Sequence, residues 1–251
     1  MHTRRVVVLS ALVVLLHACV AVEQEFSQAE KASSINVELG VGYMRQNNLE
    51  LANEKLLKAL RQDSQSVRAH YIYAMLQDRL QQFDVAEQYY QLALGIDSSN
   101  SEANNNYGAF LCRSGRELES ERYFLTALEN PLYSTPEYAY TNAAVCLLKV
   151  NSRNQAKVYL RKALAAKSDF AAALLPLSEI LYEEGDNTNA RVFLRRLHRA
   201  SESTARSLWL AIRNEIEIGG ADSGEVQRLA DELQQNFAGF EEFSEWQKIR
   251  P

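Results

Sequence analysis

The chain reads as an all-α protein, a right-handed superhelical solenoid of about six stacked helix pairs, and two observations carry that reading. One is register: Tyr107, Gly108, Phe124 and Ala127 recur 34 residues earlier as Tyr73, Ala74, Tyr90 and Ala93, and one period before that as Leu39, Gly40, Leu56 and Ala59. The other is residue size. A small residue eight positions into each of the first three units, with Ala at positions 20 and 27 apart from Ser120 in the third, describes two antiparallel helices that approach closely enough to need small side chains. An incidental amphipathic helix keeps register for two or three turns, whereas this pattern holds through three consecutive units.

Period and small-residue positions together are similar to the tetratricopeptide repeat. In order along the chain, residues 1–18 differ from all that follows: Arg4 and Arg5 precede a short apolar run from Val6 to Leu16. About 20 apolar residues are needed to span a bilayer, so this segment reads as an export signal and not as an anchor. It ends in Leu16-His17-Ala18-Cys19, which resembles the lipobox of bacterial lipoproteins, with His17 departing from the usual small residue. The resemblance implies acylation of Cys19, giving stable membrane anchorage through several acyl chains. Val20 stands where inner-membrane members usually carry Asp, so the implied destination is the outer membrane.

Without its leader the chain carries 25 basic against 32 acidic side chains, a balance unsuited to nucleic acid, whose phosphates need clustered cations. Residues 19–32 read as a tether and 33–251 as a single repeat domain. Its units are 33–66, 67–100 and 101–134, then 137–170 after a two-residue insertion, 171–204, a degenerate unit at 205–238, and a cap at 239–251. In the insertion, Thr135 is placed to cap a helix that starts at Pro136, where the missing N–H costs nothing. Pro176 falls inside a first helix and predicts a late start or a kink there. Terminal repeats are expected to be atypical, and Phe240, Phe243 and Trp246 are expected to fold over the exposed end.

Function in such solenoids belongs to the inner surface, formed by positions 2, 5, 9, 12 and 13 of each first helix. These include Val37, Val41, Met44 and Arg45 in the first unit, Arg68, Tyr71, Met75 and Arg79 in the second, and Asn105, Ala109 and Arg113 in the third. Apolar and aromatic residues interleaved with Arg suit a protein segment laid in a groove. Val41 and Met75 also fit packing against the next helix. Arg68, Asn106 and Arg113 loosely approximate a clamp for a terminal carboxylate, but the Lys and Asn expected in the first helix are missing.

Nothing in the sequence points to catalysis, a cofactor or a metal. His2 and His17 lie in the leader, His70 and His198 lie far apart, and no phosphate loop, nucleophile elbow or paired Cys motif occurs. His70 reads as a structural histidine. Cys112 and Cys146 fall at offsets 12 and 10 of their units, which predicts two separate thiols.

Three segments carry a narrower resemblance: Asn105 to Leu111, Asn130-Pro131-Leu132-Tyr133, and Ala205 to Arg213. Together they resemble the type IV pilus biogenesis lipoproteins of the PilF and PilW kind across essentially the whole mature chain. The resemblance implies a pilotin, an outer-membrane lipoprotein that binds subunits of the pilus secretin and supports their delivery or assembly. The alternative is a periplasmic tetratricopeptide adaptor that scaffolds cell-wall enzymes. An acidic groove would favour the adaptor and an apolar groove a secretin segment.

Overall fold

The computed structural model describes residues 28–250, and every regular element among them is a helix. The leader, Cys19 and most of the tether lie outside the described residues. Helix α1 covers 28–45. It is followed by α2 (Leu49–Gln62), α3 (Val67–Arg79), α4 (Phe83–Ile96), α5 (Ser101–Arg113), α6 (Glu117–Glu129) and α7 (Pro136–Lys149). Then come α8 (Arg153–Ala166), α9 (Ala171–Glu183), α10 (Asn187–Ala200), α11 (Ala205–Gly219), α12 (Gly224–Phe237) and α13 (Glu241–Ile249). None of the described helices is long and apolar enough to cross a membrane.

The turn inside each helix pair is set by backbone conformation at one repeat position. Asn47, Gln81, Gly115, Asn151 and Gly185 all adopt positive φ, between 58° and 78°, and each is the fifteenth residue of its unit. Only Gly, and to a lesser degree Asn, visits this region cheaply. In the terminal pair the equivalent residue is Gly220, one place later, because α11 runs longer than the other first helices.

Close approach between paired helices depends on the small residues. Ala52, Ala59, Ala74, Ala86, Ala93, Ala127, Ala144, Ala156, Ala163 and Ala190 are all completely buried. At Gly40 even a methyl group would meet Leu56 Cγ at 2.6 Å, so the α1–α2 contact requires glycine.

The chain forms two compact units, one ending at Phe110 and one beginning at Leu111, with α5 running through the boundary. In the first unit, Ser33 Oγ donates to Ala59 O (3.0 Å) and Asn36 Nδ2 to Gln62 Oε1 (2.8 Å), tying α1 to α2. Tyr90 stacks on Tyr107 with ring centroids 5.4 Å apart, and the Tyr107 hydroxyl donates to Glu87 (2.8 Å). His70 is structural as expected: it is buried, and its Nδ1 lies 2.9 Å from Ser66 O.

In the second unit Cys112 and Cys146 form a disulfide, with Cα atoms 5.8 Å apart, and this corrects the expectation of two free thiols. The difference in offset favours the bond. Two residues along a helix is a rotation of about 200°, so the two cysteines project from nearly opposite sides of their own helices. Neighbouring helices lying side by side need one residue facing forward and one facing back.

The late start expected at Pro176 does not occur, since α9 starts at Ala171 and runs through Pro176 to Glu183. The helix is held on either side by buried Leu174, Leu177 and Leu181. Pro136 does occupy the first position of α7, but the Thr135 side chain makes no capping bond. At the end of the chain Phe243 and Trp246 are buried against α11 and α12, whereas Phe240 is half exposed and packs edge-on to Phe237.

Candidate functional site

The inner positions of the first unit lie on α1, α3 and the start of α5. Arg68 on α3 reaches Glu38 on α1 with an Nη2–Oε1 distance of 2.7 Å. Beside it, burial pushes the Tyr71 hydroxyl above its usual pKa, and the charges acting on that hydroxyl come from Arg68, Glu102 on α5 and Glu38. The three helices therefore present one face.

That face sorts the expected site residues into three groups. Val37 is fully buried, and Tyr71 and Asn105 are buried too, so they build the wall and offer little to a partner. Val41, Met44, Met75 and Ala109 are half buried and form its accessible apolar part. Asn106 is also half buried, but its side-chain amide donates to Glu102 O on its own helix at 2.7 Å. Arg45 and Arg68 are exposed at the edges. Arg113 is exposed as well and belongs to the second unit.

Arg79 has a structural task. Its guanidinium donates to Met44 O (2.6 Å) and to Asn47 Oδ1 (2.8 Å), closing the C-terminal end of α1. Lys149 does the same for Cys112 O at 2.8 Å. Both cations are the thirteenth residue of their units, and both satisfy a carbonyl on the twelfth residue of the unit before. A helix C-terminus has carbonyls without partners and a partial negative charge, so a cation from the next repeat answers both needs. The basic character of position 13 in four successive units, Arg45, Arg79, Arg113 and Lys149, was the signal for this in the sequence.

A second cluster occupies the same repeat positions in the last two units, whereas the inner positions named from the sequence lie in the first three. On α9 it comprises Glu179 and Tyr182, at positions 9 and 12, and on α11 Arg206, Trp209 and Arg213, at positions 2, 5 and 9. The Arg213 guanidinium lies 4.8 Å from the Tyr182 ring centroid and 5.9 Å from that of Trp209. Arg206 Nε pairs with Glu179 at 2.5 Å. These residues line a cavity of about 290 Å³. Among the described residues Arg213 has no carboxylate at ion-pairing distance, so its N–H edge stays available while its flat face is held by aromatic rings.

Comparison with known proteins places this repeat architecture. The tetratricopeptide repeat family model matches residues 37–101. The type IV pilus assembly protein PilF of Pseudomonas aeruginosa is 29% identical over 87% of this chain and 86% of its own length. The structure reported in a functional characterization of Pseudomonas aeruginosa PilF superimposes with a TM-score of 0.79 over 89% of this chain and all of that one, at 28% identity. The crystal structure of PilW, described as a widely conserved type IV pilus biogenesis factor, is 30% identical, with a TM-score of 0.74 over 85% of this chain and 97% of that one.

The chain belongs to the PilF/PilW family. As a PilF/PilW protein it is a tetratricopeptide solenoid with a role in type IV pilus biogenesis, and the repeats it is built from are protein-interaction modules.

Proposed function

We propose that the protein is a pilotin. It is held at the outer membrane, facing the periplasm, by acyl chains on Cys19, and it binds subunits of the type IV pilus secretin and promotes their localisation and oligomerisation. The observation that carries this reading is the accessible part of the first unit's inner face, where Val41, Met44, Met75 and Ala109 are half buried between exposed Arg45 and Arg68. An apolar strip edged by cations, with Glu38 engaged by Arg68, suits a hydrophobic segment of a partner better than it suits basic cell-wall hydrolases. The Tyr182–Trp209–Arg213 cluster adds a second anchor of the residue types that dominate binding energies. A lipid anchor confines the captured subunits to one membrane and raises their effective concentration, so oligomerisation is promoted without chemistry.

Site-specific photo-crosslinking in envelopes tests this. With the crosslinker at Met75, the secretin should be captured; at Leu92, on the outer helix α4, it should not. Capture of cell-wall enzymes without secretin at Met75 would replace the pilotin reading with the adaptor one.

A further inference from the structure

Away from both inner faces, α10, α11 and α12 enclose a cavity of about 470 Å³ whose lining is unusually rich in guanidinium groups. Arg191, Arg195 and Arg199 stand one turn apart on α10, and all three line it. Like charges at this spacing repel, so such a ladder weakens its own helix unless something offsets it.

The protein offsets part of it. Glu215, almost buried on α11, takes Arg191 in a two-bond fork, with Nε–Oε1 at 2.8 Å and Nη2–Oε2 at 2.5 Å. Glu225 on α12 is held in a second fork by Arg228, at 2.9 and 3.0 Å, which keeps its carboxyl below the usual range. Both carboxylates lining the cavity are thus already committed. Arg195 comes no nearer than 3.9 Å to Glu215, and Arg199 spends its Nε on the carbonyl of Arg195 in its own helix. The ends of these two side chains remain, beside an apolar wall formed by Leu194 and Leu229.

We propose that this cavity binds a phosphate group, with Arg195 and Arg199 as its principal donors. Two guanidinium groups lining one space match a phosphate, which brings up to two negative charges and three acceptor oxygens on a single centre. A carboxylate supplies two oxygens and one charge. The apolar wall suits the carbon skeleton beside the phosphate, in either a lipid headgroup region or a soluble phosphate ester. This site shares no residue with the proposed secretin-binding faces, so either can fail alone.

The test uses the full chain with two probes. Sodium pyrophosphate is titrated by calorimetry, and vesicles of phosphatidylcholine with and without phosphatidic acid are tested by co-sedimentation. Saturable binding is expected to at least one probe, weakened about tenfold or more in Arg195→Gln/Arg199→Gln, as follows from losing two charge-assisted contacts. Both side chains are exposed, so the fold should be retained, as circular dichroism would verify. A charge-matched control, Arg45→Gln/Arg68→Gln in the first unit, should bind as the parent does. Response to phosphatidic acid assigns the lipid source, and response to pyrophosphate alone assigns a soluble ligand. No saturable binding to either probe, or equal losses in both variants, would overturn the proposal. So would polyglutamate competing as strongly as pyrophosphate, since the site would then be a docking surface for acidic protein.

Discussion

The inner face of the first unit and that of the last two helix pairs use the same repeat positions for different ends. In the first unit Tyr71 and Val37 are buried, Arg79 closes the end of α1, and Arg68 is paired with Glu38. Near the C-terminus Tyr182 and Trp209 keep half-exposed rings, and Arg213 lies over them without a carboxylate. The second unit also holds two of its first helices together covalently, through Cys112 and Cys146, in addition to the small-residue packing that both units share. A repeat position therefore says where a side chain emerges; whether it packs, caps or recognises depends on what the neighbouring repeat supplies.

The largest expected effect tests the covalent half of this contrast. Cys112→Ala/Cys146→Ala opens a loop of 34 residues and should lower stability by about 2–4 kcal/mol in chemical denaturation. Hydrogen exchange should slow-to-fast shift in α5 to α7 while α2 to α4 keep their protection; loss in α2 to α4 would mean that the two units share one packing device. Next comes Gly40→Ala, which drives a methyl group into Leu56 and should cost about 1–3 kcal/mol in the same assay. Little change there would show that small-residue packing in the first unit has slack.

On the recognition side, Trp209→Ala should weaken secretin capture about tenfold, an effect of about 1.4 kcal/mol in the range of a binding anchor. By contrast Arg79→Met should leave capture unchanged and lower stability by about 0.5–1 kcal/mol, the scale of a cation at a helix C-terminus. If Arg79→Met instead abolished capture, that arginine would belong to the partner site as the sequence suggested. Gly115→Ala, where no atom lies within 4 Å of a new methyl group, isolates the backbone cost of positive φ, about 1 kcal/mol.

The smallest effect is a pH slope. Burial holds the His198 pKa below its usual value, opposed by Glu232 and Glu225 and assisted by Arg228. Protonation then favours the unfolded chain, so this contribution is fully present above the ordinary histidine pKa and fades as pH falls through it. His198→Gln should flatten that part of the stability profile.

Much of this fold was legible because the repeat is a packing rule written in small residues. Gly40, Ala52 and Ala59 announce close helix approach, and the buried positions follow from them. The turn at position 15 was readable where Gly115 and Gly185 mark it and obscure at Gln81, where a side chain disguises the left-handed backbone. The site was less legible. Sequence places Val37, Tyr71 and Arg79 on the inner side, but their burial and partners depend on adjacent helices, which no single period records. The disulfide is hidden in the sequence because an offset describes a cysteine within its own helix, whereas the bond depends on the relation between two helices. The C-terminal cluster could have been found by carrying the same positions to Tyr182, Trp209 and Arg213.

The cations at position 13 give the stack a direction in time. Arg79 completes the helix that precedes it by a whole repeat, and Lys149 does so for the helix bearing Cys112. As the chain emerges N-terminus first, α1 and α5 thus wait with raw C-terminal ends until the cation of the next repeat is in place. Closure of these two helices should trail their emergence by one repeat. A truncation after α2 or α6 should consequently leave α1 or α5 frayed at its C-terminal end, even with all of that helix's own residues present.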